Sequence, residues 1–153
     1  MPKVTPIPDG YHAITPYLIV HDGRQALAWY AQAFGAVELL RIPGPDGLIG
    51  HAELQVGTSK VMLADETPQT LAKSAKTYGG SPIGLLLYVE DVDAVMARAL
   101  AAGAKVMVPL QDKFYGDRMG TVEDPFGFHW SLATHIEDLS PEELQKRAQA
   151  EHP

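Results

Sequence analysis

His51-Ala52-Glu53 places an imidazole and a carboxylate two residues apart, and a strand alternates its side chains with that period, so both can reach one face. Late in the chain His129-Trp130-Ser131 repeats the spacing with a hydroxyl in the second place. Three chemistries fit these groups. His51, Glu53 and His129 form the kind of set, two imidazoles and a carboxylate, that suits zinc or non-haem iron. Without a metal, Glu53 in a partly apolar cleft can accept a proton with His51 assisting. Third, the same groups can simply hydrogen-bond a ligand, each other or water. Tyr17 and Tyr88 share the inward parity and are candidate ligand contacts together with Tyr115. Trp29 lies on a helix and Trp130 on an apolar strand face, which reads as core. Arg118, next to Asp117, either meets an anionic substrate at the cleft mouth or pins its loop as an Asp-Arg pair.

The elements that position these groups come in two similar copies. In ITPYLIVHDGRQALAWYAQAFGAVELL and in IGLLLYVEDVDAVMARALAAGAKVMV an apolar run meets an acidic break, a helical apolar stripe follows, and Gly-Ala ends it. The copies are offset by about 68 to 69 residues, too few repeats for a solenoid, so one pseudo-symmetric domain is expected. The pattern predicts strands over 14–20, 37–42, 49–56 and 60–64 and a helix over 23–34 capped by Asp22 and stopped by Gly35. The second copy predicts strands over 83–89, 105–110, 121–123 and 128–134 and a helix beginning after Asp91 and stopped at Gly103. Each copy is thus β-α-β-β-β, over residues 12–66 and 83–135, with a linker at 67–82 that lacks periodicity. PGPDG and EDPFG read as turns, the second carrying no chemistry, and GDRMG as a loop before the third strand of the second copy. Residues 136–153 hold a polar helix opened by Ser140-Pro141-Glu142-Glu143, which has the order of an N-cap, a proline and first-turn acids.

Side-chain parity sets Ala52, Leu54 and Val56 against His51, Glu53 and Gln55, and Phe128, Trp130 and Leu132 against His129 and Ser131. In the first strand Ile14, Leu18 and Val20 oppose Thr15, Tyr17 and Ile19. If helices cover the apolar faces, the polar faces of a curved sheet are left to line a ligand cleft.

Composition narrows the classes. At 153 residues a single domain over 1–153 is expected, burying ~70% of the unfolded chain's surface. No cysteine is present, which removes thiol catalysis and thiolate metal sites and fits a reducing, cytoplasmic setting. The net charge of -7 excludes a general affinity for nucleic acid, and no apolar run approaches a membrane span.

The opening ITPYLIVHDGRQALAWYAQAFGA together with YGDRMGTVEDPFGFHWSLATHIEDLSPEE resembles the vicinal oxygen chelate superfamily, which includes glyoxalase I, bleomycin-resistance proteins and extradiol dioxygenases, and within it the PhnB-like branch. The resemblance runs from Tyr11 to Arg147. It implies an α+β fold of two βαβββ modules forming a curved mixed sheet, the glyoxalase/bleomycin-resistance/dihydroxybiphenyl dioxygenase fold, commonly as a homodimer. Metal-using members carry one ligand on each of four strands, and that pattern laid on this chain falls at Thr15, Glu53, Gly84 and Ser131. Only Glu53 among them would hold a divalent ion well. The resemblance therefore implies binding of a small organic molecule in a concave cleft with no metal cofactor. The alternative is a lyase, isomerase or dioxygenase using His51 and Glu53, with or without a divalent ion.

Overall fold

The computed structural model describes residues 3–152 and divides the chain into two compact units between Gly80 and Ser81. The first unit runs β1 (Tyr17–Val20), α1 (Gly23–Phe34), β2 (Val37–Pro43), β3 (Ile49–Val56), β4 (Ser59–Asp65) and a short α2 (Ala75–Tyr78). The second runs β5 (Leu85–Tyr88), α3 (Val92–Ala101), β6 (Lys105–Asp112), β7 (Asp117–Glu123), β8 (His129–His135) and α4 (Pro141–Glu151). Each holds a four-stranded mixed sheet, ordered β1-β4-β3-β2 and β5-β8-β7-β6. In each the first and last strands pair in parallel and the other neighbours are antiparallel. The α+β architecture and the two β-α-β-β-β repeats stand as the sequence predicts.

Helix ends explain why the repeat is so regular. Asp22 accepts a hydrogen bond from the Gln25 amide at 3.0 Å and Asp91 accepts one from Ala94 at 3.1 Å, each satisfying an otherwise orphan first-turn donor. Gly35 closes α1 in the left-handed conformation at φ 67°. The end of the last strand supplies a second tie. Asp65 accepts from the Gly23 and Ile49 amides at 2.7 and 2.6 Å, joining β4 to the starts of α1 and β3. At the matching point of the second unit Thr134 accepts from the Val92 amide at 3.0 Å and donates to the Val89 carbonyl at 2.8 Å. Apolar stripes of α1 and α3 then cover one face of their own sheets: Leu27 and Tyr30 are buried with Leu54 and Leu63, and Val95 and Met96 with Val122 and Leu132. Trp29 and Trp130 are core residues, as expected.

Several boundaries differ from the sequence reading. The first strand begins at Tyr17 rather than Ile14, because Pro16 has no N–H for the ladder, although its carbonyl still accepts from Met62 at 2.9 Å. Ile14 is accordingly 88% exposed and does not share the buried face of Leu18 and Val20. GDRMG is not a loop: Asp117 to Gly120 form the first half of β7. β6 runs through Pro109 to Asp112, which an edge strand with register shifts tolerates. The segment 67–82 is built rather than featureless. Ser74 caps α2, and Glu66 accepts from the Ser74 amide at 2.6 Å and the Thr77 hydroxyl at 2.9 Å. EDPFG is a turn organised by buried Asp124, which accepts from the Phe126 and Phe128 amides and from the Trp130 indole at 2.8, 3.0 and 2.8 Å.

Candidate functional site

On the first unit's sheet the strands align Tyr17, Met62, Glu53 and Leu40 in one cross-strand row. This row lies on the face opposite the buried Ala52, Leu54 and Val56, so the polar side left free of α1 is the one parity assigns. His51 sits two residues before Glu53 on that face. The Tyr17 hydroxyl and His51 Nδ1 are 2.7 Å apart, and His51 Nε2 and Glu53 Oε1 are 3.4 Å apart. With a neutral imidazole carrying its proton on Nε2, Tyr17 donates to Nδ1 and Nε2–H donates to Glu53, a three-residue chain ending in a carboxylate. The Tyr17 and His51 rings also tilt against each other with centroids 5.5 Å apart.

Tyr11, in the N-terminal arm ahead of β1, joins this group. Its hydroxyl is buried beside Glu53, and burial first, then the Glu53 carboxylate, push its pKa up to about 12. Lys60 lies over the Tyr11 ring at 4.5 Å from the centroid and reaches the Asp9 carbonyl at 3.5 Å, holding the arm on the sheet. Burial and then Glu53 raise the Tyr17 pKa as well. Both phenols therefore stay protonated donors around a carboxylate.

The second unit gathers different groups. Tyr88 donates to Asp117 at 2.8 Å, and His135 Nδ1 is 2.7 Å from the other Asp117 oxygen, while its Nε2 is 2.8 Å from Asp138. Asp117 is 4% exposed, and Tyr115 stands close enough for its charge to raise the phenol's pKa beyond what burial does. Asp117 and His135 were missed from sequence, because only the pairing of β7 with β8 sets them opposite each other.

The remaining candidates divide as follows. His129 pairs with Glu123 at 3.1 Å and Ser131 with Thr121 at 2.9 Å, both across β7 and β8. Thr15 precedes β1 and is half-buried. Arg118 does not pair with Asp117, since neighbours on a strand point to opposite faces. Instead it forks onto Asp93 of α3 at 2.9 and 2.9 Å and reaches Asp112 of β6 at 3.1 Å. It ties β7 to the start of α3 and the end of β6, with its charge met by two carboxylates.

The four positions expected to carry metal ligands need correction. Ser131 lies on β8, aligned with Leu86, and the same place in the first unit, aligned with Tyr17 on β4, is Met62. Glu53 is on β3, where its counterpart is Thr121, the cross-strand neighbour of Ser131. The matching set is thus Thr15, Met62, Gly84 and Ser131: two neutral hydroxyls, a thioether and no side chain. That donor set does not fit a divalent ion. Nor, among the described residues, do three His, Asp or Glu side chains gather as a metal site. His51 and His129 each pair with a glutamate of their own unit.

Two β-α-β-β-β units, each with a parallel first-to-last strand pair and a helix-free polar face, define the glyoxalase-type fold. The chain belongs to the Glyoxalase/Bleomycin resistance protein/Dioxygenase superfamily, whose pattern matches residues 10–132. It is 46% identical over 136 residues to a Mycobacterium tuberculosis protein, covering 87% of this chain and 80% of that one. The crystal structure of TioX from a Micromonospora species is similar at 32% identity and a TM-score of 0.64, covering 82% of this chain and 99% of that chain. The Arabidopsis thaliana At5g48480 structure is similar at 28% identity and a TM-score of 0.65, covering 80% and 98%. No helix among the described residues is long and apolar enough to cross a membrane.

Proposed function

We propose that the protein binds a small organic molecule on the helix-free face of its first sheet, at Tyr17, His51 and Glu53, without a resident metal. The observation that carries this reading is the connected chain from the Tyr17 hydroxyl through His51 to Glu53, with the buried Tyr11 hydroxyl beside it. A carboxylate ringed by two phenols and an imidazole, with a flanking aromatic ring, supports reception of a polar ligand atom on this face. The weak donor chemistry of Thr15, Met62, Gly84 and Ser131 supports the metal-free half. Placement in the PhnB-like branch rests on the GDRMG and EDPFG segments, and a homodimer is the assembly this placement implies.

A second reading, a proton-transfer enzyme, draws on the same chain. Glu53 would accept a proton from a bound substrate, and His51, steadied by Tyr17, would stabilise the charge that results. Elemental analysis of protein purified without chelator, repeated on Glu53→Ala and His51→Ala, tests the metal-free half of the binding reading, and turnover of a bound ligand that is lost in Glu53→Gln while binding persists marks the proton-transfer reading. Absence of stoichiometric metal in all three supports the metal-free half. Stoichiometric metal that disappears on either substitution overturns it.

A further inference from the structure

The second unit contains a histidine held by carboxylates on both ring nitrogens, and its two partners belong to different parts of the fold. Asp117 is on β7, buried, and already fixed by the Tyr88 hydroxyl of β5. Asp138 lies after β8 in the segment that leads into α4, and its side chain is fully exposed. We propose that His135 is a proton-controlled latch that fastens this segment to the sheet of the second unit, closed when the imidazole is cationic and released when it is neutral.

A cationic imidazole has two N–H donors and serves both carboxylates, at 2.7 Å and 2.8 Å. A neutral one has a single donor. An uncompensated charge on buried Asp117 is costly, whereas Asp138 can turn to water, so the remaining proton stays on Nδ1. Nε2 then presents a lone pair to the Asp138 oxygen, and that contact is repelled. The hydrogen bonds to Asp117 and Asp138 raise the His135 pKa, with Tyr88 and Tyr115 the other titratable groups around Asp117. A raised folded-state pKa means the latch contributes fully below the ordinary histidine value and is lost as pH rises through the raised one. Other ties act on neighbouring residues and do not titrate in that range. The Gly116 carbonyl accepts from the Ile136 and Glu137 amides, and Arg147 of α4 forks onto Glu137 and donates to the Phe114 carbonyl. The latch therefore sets how firmly α4 is seated, and does not decide whether it folds.

The test is amide hydrogen exchange of the α4 residues from about pH 5.5 to about pH 9, corrected for intrinsic rates, beside an NMR titration of the His135 ring. In the wild type, protection should fall about tenfold for each unit by which closure raises the His135 pKa. Asp138→Asn leaves the buried Asp117–His135 pair in place and should give low protection with no pH step; His135→Gln should do the same. Flat α4 protection while His135 titrates, or an unchanged step in Asp138→Asn, overturns the proposal.

Discussion

Among single residues, one carboxylate governs its neighbours. Glu53 raises the pKa of both Tyr11 and Tyr17, behind burial in each case. Glu53→Gln keeps the shape and removes the charge, so both phenols should titrate at lower pH than in the wild type, with Tyr11 moving down from about 12. Phenolate absorbance across an alkaline titration measures this, and unchanged midpoints would remove Glu53 from the group. Arg118 gives a second prediction. Its guanidinium holds Asp93 below the usual carboxylate range, a lowered folded-state pKa, so the pair stabilises the fold above the ordinary aspartate value and that share is lost as pH falls through the lowered one. Arg118→Gln should lower the melting temperature at neutral pH and flatten its acid dependence, while leaving ligand binding intact, because the side chain is spent on Asp93 and Asp112. Reduced binding by that variant would return Arg118 to the ligand contacts. The pairing of His51 with Glu53 was legible because i, i+2 spacing survives any register. Tyr11, Asp117 and His135 were not, since each acquires its role from a strand or arm distant in sequence.

Helix caps and strand ends carry the account at the scale of elements. Thr134 and Asp65 occupy corresponding places at the end of the last strand, and each accepts the first amide of its own unit's helix, α3 and α1 respectively. Thr134→Val removes the acceptor with little change in shape and should cost about 1 kcal/mol, read by chemical denaturation. Gly116 has φ 92°, and a side chain there would run into the Glu137 backbone. Gly116→Ala should therefore cost about 2 kcal/mol or more, and its effect should be felt first at the segment leading into α4. The acidic caps and glycine stops made the β-α-β-β-β repeat readable in the chain. What parity could not supply was which of two adjacent antiparallel strands matched β8. β3 alternates apolar and polar residues whereas β4 is apolar from Val61 to Ala64, so the ligand pattern settled on Glu53 when register assigns the place to Met62. Pro16 shortens β1 against the expectation, whereas Pro109 sits inside edge strand β6, as the reading over 105–110 allowed.

For the whole molecule, the repeat yields two sheets of the same order whose polar faces have diverged. The row Tyr17, Met62, Glu53 and Leu40 corresponds to Leu86, Ser131, Thr121 and Val108, so the first unit keeps an acid–imidazole–phenol chain and the second has only hydroxyls at that place. This asymmetry is the reason to assign ligand chemistry to the first unit and a latch to the second. Native mass spectrometry should show a dimer of this chain, and a strictly monomeric protein at micromolar concentration would remove the homodimer from the account. The most direct trial of the central claim is protein-observed NMR on metal-free protein titrated with a panel of small aromatic and amine-bearing metabolites. Saturable shifts centred on Tyr17, His51 and Glu53, and abolished in His51→Ala, are the predicted result. Binding that appears only after a divalent metal is added, or shifts that leave these three residues untouched, would contradict it.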